Sequence, residues 1–191
     1  MKSTENKRKF FLRNLLKGLT WLAVIVILFV LTKHNVDRDL LLKYEYLFEK
    51  TGLIFFIFTL SELIIGIIPP ELFFIWSLRS GDLHVFIIYV IILTIISYIA
   101  GFLAFLFGRY LHNTLLYKYL QKKYLKKTEI LLQEYGLYLI LVSALTPIPF
   151  SGTSMLVGSV KYPVNKYLYW SLSRFVKFIV SAYIIWEANM I

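Results

Sequence analysis

From Val85 to Phe107 the chain runs without a single charged side chain, through a stretch built of Ile, Leu, Val, Phe and a few small residues. At a rise of about 1.5 Å per residue such a run reaches across a hydrocarbon core about 30 Å thick, and a stretch of this kind reads first as a membrane span. The rest of the sequence agrees. Of 191 residues 59% are hydrophobic and 17% charged, with mean hydropathy +0.70, more apolar surface than a water-soluble domain of this length needs for its core. The 21 Lys and Arg against 11 Asp and Glu leave a formal charge of +10. These basic residues alternate with apolar runs instead of forming one patch, which is a topology signal and argues against nucleic acid as a partner. Without cysteine there is no disulfide framework, thiolate metal site or cysteine nucleophile. A soluble enzyme, a zinc protein and a secreted mini-domain are therefore set aside.

The N-terminal residues carry Lys2, Lys7, Arg8, Lys9, Arg13 and Lys17 against Glu5, and the apolar stretch Leu19 to Thr32 follows. That arrangement is like a signal peptide, but the run ends in Thr32-Lys33-His34-Asn35 without a small-x-small site. An uncleaved first transmembrane helix with its basic end in the cytoplasm is expected. Residues 33 to 50 mix acids and bases with Leu and Tyr at helical spacing, as in an interfacial helix on the outer side.

Two further apolar segments break in the middle. Thr51 to Leu78 is interrupted at Gly66 and Pro69-Pro70, and Tyr135 to Val160 at Pro147 and Pro149, with Gly152 following. Each precedes an unbroken span, Val85 to Phe107 and Tyr167 to Trp186. Between the two units, Arg109 to Lys127 holds six bases and no acid and should be cytoplasmic. If 51–78 crossed fully, this loop and the N-terminus could not share a side; if it dips in and returns, they do. The same logic keeps Lys161 and Lys166 inside. The expected fold is therefore an all-α integral membrane protein, an inverted repeat of two re-entrant helical hairpins (51–78 and 135–160), each followed by a transmembrane helix (85–107 and 167–186), after an N-terminal unit at 1–50. Broken helices at matching places in two halves are the sequence pointer to a transporter's midplane site. Ordinary Pro-kinked spanning helices are the competing reading.

Four ionisable residues fall at bilayer depth: Glu62 and Glu71 around the first break, Arg174 and Lys177 in the last helix. On insertion scales each unpaired charge there costs about 3 kcal/mol, so the four must pair, neutralise or meet water. Arg174 and Lys177 are three apart, on one helix face. The plain reading is a structural ion-pair cluster; the sharper one is a polar cavity that binds substrate or a proton through Glu62, Glu71, Arg174 and Lys177. Helix ends at a break favour anions, and Thr146, Ser151, Thr153 and Ser154 at the second break add small polar groups. Gly101 and Gly108, seven apart, read as a helix-packing groove. His34, His84 and His112 lack ligand spacing, and no metal or cofactor is expected. Phe150-Ser151-Gly152-Thr153-Ser154 is no convincing intramembrane serine protease, because no histidine lies in an apolar segment to act as base. An enzyme is not expected.

The order Ser61-Glu62, Pro69-Pro70-Glu71, Gly101, Gly108-Arg109, Glu134-Tyr135-Gly136, Thr146-Pro147-Ile148-Pro149-Phe150 and Gly158 resembles the DedA/VTT family, also called SNARE-associated Golgi proteins, over about residues 51 to 186. The resemblance implies opposed re-entrant hairpins, a bacterial cytoplasmic (inner) membrane, and movement of lipids such as a polyprenyl phosphate or phospholipid. Glu62 and Glu71 match the family's acidic positions. Many bacterial members carry arginines where this chain has Ala144 and Phe150, so that phosphate contact is not carried over; Arg174 and Lys177 are the cations available to replace it. Three functions remain open at this level: a lipid flippase or scramblase with membrane lipids and protons as partners, a proton- or cation-coupled small-solute transporter, and a non-transporting membrane scaffold.

Overall fold

A computed structural model describes residues 50–114 apart from 65 and 67, residues 126–190 apart from 147, and seven isolated helical positions between 12 and 27; in the second stretch side chains are described from 135 onward. Every regular element among the described residues is helical. The expected first transmembrane helix is described only at Thr20, Ala23, Val24 and Ile27, all helical and exposed. The expected interfacial helix up to residue 49, the interior of the basic loop and Pro147 lie outside the described residues.

Helix α1 (Thr51–Ile64) stops because Gly66 takes a left-handed φ of 76°. Its N–H returns to the Ser61 carbonyl at 2.7 Å, and the Ser61 hydroxyl accepts the N–H of Ile68 at 3.0 Å. Helix α2 (Pro70–Ser77) then starts on a proline, whose missing N–H costs nothing in the first turn. Phe58 meets Phe73 with ring centroids 4.8 Å apart, and Phe55 meets Trp76 at 6.1 Å. Three residues back on α1 match three residues forward on α2, so the two helices run antiparallel.

A 3-10 turn at Leu78–Ser80 and Gly81 in the left-handed region lead to α3 (Leu83–Leu111). The Asp82 carboxylate caps its start by accepting from the N–H of His84 at 2.6 Å and of Val85 at 3.4 Å. With 29 residues α3 is about 43 Å long. Its buried stripe is small or polar at Thr94, Ser97, Ala100, Gly101 and Gly108, whereas Ile88, Ile91, Ile95, Ile99, Leu103 and Phe107 are exposed. A helix with its oiliest face outward is one whose solvent is lipid. Among the described residues two helical stretches, Leu83–Leu111 and Val164–Met190, are long and apolar enough to cross a membrane.

Helix α4 (Lys126–Leu145) and α5 (Phe150–Ser159) flank the second break, and Gly136 on α4 packs beside Val157 on α5, so this segment also reverses direction. Helix α5 runs parallel to the end of α3 at backbone contact: a Cβ at Gly108 would fall on the Met155 carbonyl, one at Gly158 on the Phe105 carbonyl, and one at Gly101 on the Phe150 ring. His112 and Arg109 fasten the same seam through the Ser159 carbonyl at 2.6 Å and the Tyr162 carbonyl at 3.2 Å.

Three boundaries differ from the sequence reading. The last span is not unbroken: α6 (Val164–Ser171) and α7 (Ser173–Met190) are separated by a turn at Leu172, where the Ser171 and Ser173 hydroxyls donate to the carbonyls of Leu168 and Trp170 three residues back and tighten the helix. The second broken segment begins earlier, at Lys126, because Lys, Glu, Gln and Leu in 126–134 are good helix formers. With α3 reaching Leu111, the basic loop loses both its ends to helices. One apolar cluster gathers Phe58, Phe73, Phe74, Leu93, Phe178 and Ile185, and a second Phe105, Ile140, Phe150, Val157 and Tyr167. Thr94 and Ser97 lie between them along α3.

Candidate functional site at the junction of the two breaks

All four charged residues singled out in the sequence meet between these clusters. Arg174 Nη2 donates to Glu62 Oε1 at 2.7 Å, and Lys177 Nζ lies 3.0 Å from Glu71 Oε1. Glu62 and Glu71 are 1% and 0% exposed, Arg174 and Lys177 3% and 5%, so solvent screening does not weaken these pairs. Glu62 stands on the last turn of α1 and Glu71 on the first turn of α2, one on either side of the break. The spacing of Arg174 and Lys177 on α7 then serves both acids from one helix face. Lys177 also reaches the Thr146 carbonyl at the second break, at 3.5 Å.

The two breaks touch: a Cβ at Gly66 would lie 3.9 Å from the Phe150 nitrogen and 4.0 Å from the Pro149 Cα. Between them is a cavity of about 70 Å³ bounded by Glu62, Gly66, Pro69, Pro70, Pro149, Phe150, Arg174 and Lys177, room for a few water molecules. Helices α2 and α5 both start here behind Pro69 and Pro149, neither of which offers a side-chain cap. Their first N–H groups add partial positive charge to the junction. Buried carboxylate oxygens without a hydrogen bond stand here, Glu62 Oε2 and the Glu71 pair, of which Oε1 meets Lys177 as an ion pair only; the buried Ser151 hydroxyl on α5 and the Ser181 hydroxyl on α7 are also without a hydrogen-bond partner. Satisfied polar groups are the rule in protein interiors, which makes this concentration a mark of a site.

The guanidinium of Arg174 is held on several sides. Its Nε donates to Ser97 Oγ, and its face lies 4.4 Å from the Phe150 ring centroid and 5.0 Å from that of Phe178. Phe150 is thus the ring on which Arg174 rests. Ala144 is fully buried in the second apolar cluster.

Other expected site residues are placed plainly. Pro69 precedes α2 and Pro70 opens it; Pro149 precedes α5, and Gly152 lies within the first turn of α5 instead of in the break itself. Gly101 and Gly108 pack against α5, and Ser154 accepts a hydrogen bond from the Tyr167 hydroxyl at 2.9 Å. Thr153 is bonded to the Pro149 carbonyl. Sequence reasoning passed over Ser97 and the aromatic role of Phe150. The signal for Ser97 was its place, with Thr94, on the small-residue stripe that also holds Ala100 and Gly101. No group of three or more His, Asp or Glu among the described residues is arranged to hold a metal ion.

A second cavity, of about 530 Å³, opens between α3 and α7 against Leu83, Phe86, Val90, Ile179, Tyr183 and Trp186, with Glu187 at its edge.

The VTT domain model matches residues 68–187. The match includes Glu71, Arg174 and Lys177, while Glu62 lies six residues before it. No curated protein and no solved structure matches the chain. A chain whose described elements are all helical, with two helical stretches among them able to span a membrane, and matched by this domain over most of its length, belongs to the DedA/VTT family of membrane proteins.

Proposed function

We propose that the protein is a membrane lipid transporter, a flippase or scramblase that passes the head group of an anionic lipid, a polyprenyl phosphate or a phospholipid, through the junction of the two breaks. One observation carries this reading: two carboxylates and two cations, all nearly inaccessible, converge where two helical segments of a membrane protein are interrupted and meet. Buried ion pairs contribute little net stability compared with apolar packing, so their presence at bilayer depth calls for a role other than holding the fold together. A phosphate crossing hydrocarbon needs a continuous set of polar partners. Arg174 and Lys177 supply cations, the uncapped starts of α2 and α5 supply N–H groups, and Glu62 and Glu71 compensate the cations when no head group is present or carry a proton.

The antiparallel ring pairs of α1 with α2 support a first hairpin that enters and leaves the bilayer on one side, and Gly136 beside Val157 supports the same for the second. In this reading the two hairpins, each with its following helix, form an inverted repeat, with the N-terminus and the basic stretch after α3 in the cytoplasm. The apolar groove between α3 and α7 favours a lipid over a soluble solute, because it gives an acyl chain a path beside the polar junction. Arg174, seated on Phe150, takes the place of the arginines absent at 144 and 150.

The test is reconstitution of the purified chain in liposomes carrying labelled lipid, with and without an imposed pH gradient. Faster transbilayer exposure of a phosphate-bearing lipid than in empty vesicles is expected. Uptake of a soluble solute or cation with no lipid movement would instead establish a solute carrier.

A further inference from the structure

Most of the buried hydroxyls here are turned back on their own helix. Thr94 donates to the Val90 carbonyl, Ser143 to Ile140, Ser154 to Phe150 and Ser171 to Leu168. Ser97, fully buried on the same face of α3 as Thr94, instead accepts Nε of Arg174 from a helix 77 residues away. Phe150 departs in a parallel way. As the first residue of α5 it fills the space left by the missing Cβ of Gly101 and presents its ring face to the same guanidinium.

An arginine side chain has several rotatable bonds, and holding it in one pose costs rotamer entropy that must be offset by contacts. Here Nε is bound to Ser97, Nη2 to Glu62, and the guanidinium carbon lies over the Phe150 and Phe178 rings, 4.4 and 5.0 Å from their centroids. Among the described residues nothing accepts a hydrogen bond from Nη1. The cavity that Arg174 lines also holds the unpartnered, buried Glu62 Oε2 and the start of α5. A guanidinium held through Nε, Nη2 and two rings and left open at Nη1 is suited to receive an oxyanion, and its usefulness depends on the plane in which it is held.

We infer that Ser97 and Phe150 are positioning residues that hold Arg174 as the receptor for a phosphate-type oxyanion in the cavity between the two breaks, an assignment that rests on the lipid-moving function proposed above. Ser97 does not line that cavity, and Phe150 borders it beside the guanidinium. Ser97 sets the rotation of the guanidinium and Phe150 its plane, while Glu62 keeps the charge balanced.

The experiment uses the full chain in two settings: liposomes, where half-saturating lipid density and maximal rate are separated with labelled phosphatidic acid, and detergent, where dioctanoyl phosphatidic acid and inorganic phosphate are titrated separately. Ser97→Ala should raise the half-saturating value about tenfold, the loss of one charge-assisted bond, with the maximal rate changed by less than about twofold. Ser97→Thr, which keeps the hydroxyl, should restore it. Arg174→Lys lacks Nε, so adding Ser97→Ala to it should have no further effect. Phe150→Leu should weaken binding by about fivefold and Phe150→Trp should not; this arm decides the matter if Ser97→Ala does not fold. Unchanged half-saturation in both Ser97→Ala and Phe150→Leu, or strict additivity of Ser97→Ala with Arg174→Lys, would overturn the assignment while leaving lipid movement intact. Inorganic phosphate binding as tightly as the lipid would overturn a head-group receptor in favour of a free-phosphate site. A folded wild type that moves no lipid would defeat the functional reading itself.

Discussion

Each broken segment packs on the long helix that follows the other one, but the two contacts are made by opposite means. The first, α1 and α2, is joined to α7 by two buried ion pairs, Glu62 with Arg174 and Glu71 with Lys177. The second, α5, is joined to α3 by direct backbone approach at Gly108 and Gly158. An offset of 80 or 81 residues carries Pro69 to Pro149, and it also carries Glu62 to Ser143, Glu71 to Ser151, Thr94 to Arg174 and Ser97 to Lys177. All eight of these polar positions are buried. The same places are therefore polar in both units and charged at only one junction. Since the glycine junction is closed by backbone approach and by Arg109 and His112 on carbonyl oxygens, with no buried ion pair among the described residues, such a contact does not require ion pairs to form. That difference is the best argument that the charged junction is built for traffic and not for stability.

The largest effect should come from breaking one pair. Glu71→Met alone leaves Lys177 buried without compensation and should cost about 3 to 5 kcal/mol, read as a large drop in melting temperature in detergent. Adding Lys177→Met should recover most of that loss. If the double variant were as unstable as the single one, the charged junction would be a structural clasp after all.

The glycine junction should answer to volume instead. Gly108→Ala or Gly158→Ala forces the Met155 or Phe105 backbone away and should destabilise by about 1 to 3 kcal/mol. Gly52→Ala, with nothing within 4 Å of the added carbon, should stabilise slightly or do nothing. Equal losses at all three positions would show that helix propensity, not close approach, governs the seam.

The smallest effect is expected at the unpartnered hydroxyls. Ser151→Ala and Ser181→Ala each remove a buried donor that bonds to nothing among the described residues, so stability should change by less than about 1 kcal/mol, in the favourable direction if at all. Ser154→Ala, which takes the partner from the Tyr167 hydroxyl, should cost more than either. Thermal unfolding of the three variants side by side checks the order.

Much of this was legible in the chain, for reasons that are local. Gly66, Pro69, Pro70 and Pro149 interrupt helices through their own backbone chemistry, and charges inside apolar runs stand out whatever the fold. Which acid meets which base was not legible, since it depends on how the first break turns and on the register between α2 and α7. Ser97 escaped notice because a lone serine in a membrane helix is ordinary until a helix 77 residues away brings an arginine to it. The turn at Leu172 was hidden for a related reason: Ser171 and Ser173 are tolerated within helices, and only their hydrogen bonds to the preceding turn distinguish the interrupted case. The domain match begins at residue 68, and Glu62, before it, joins the site through its bond to Arg174 and its place on the cavity wall.

The central claim is that the buried charges serve transport and not folding. The most direct measurement is transbilayer lipid movement by a chain neutralised at all four positions, Glu62→Gln, Glu71→Gln, Arg174→Gln and Lys177→Met, with its unfolding followed in parallel. The account predicts a folded protein, melting close to the wild type, that no longer accelerates exposure of a labelled phosphate-bearing lipid. A neutralised protein that moves lipid at the wild-type rate would contradict it.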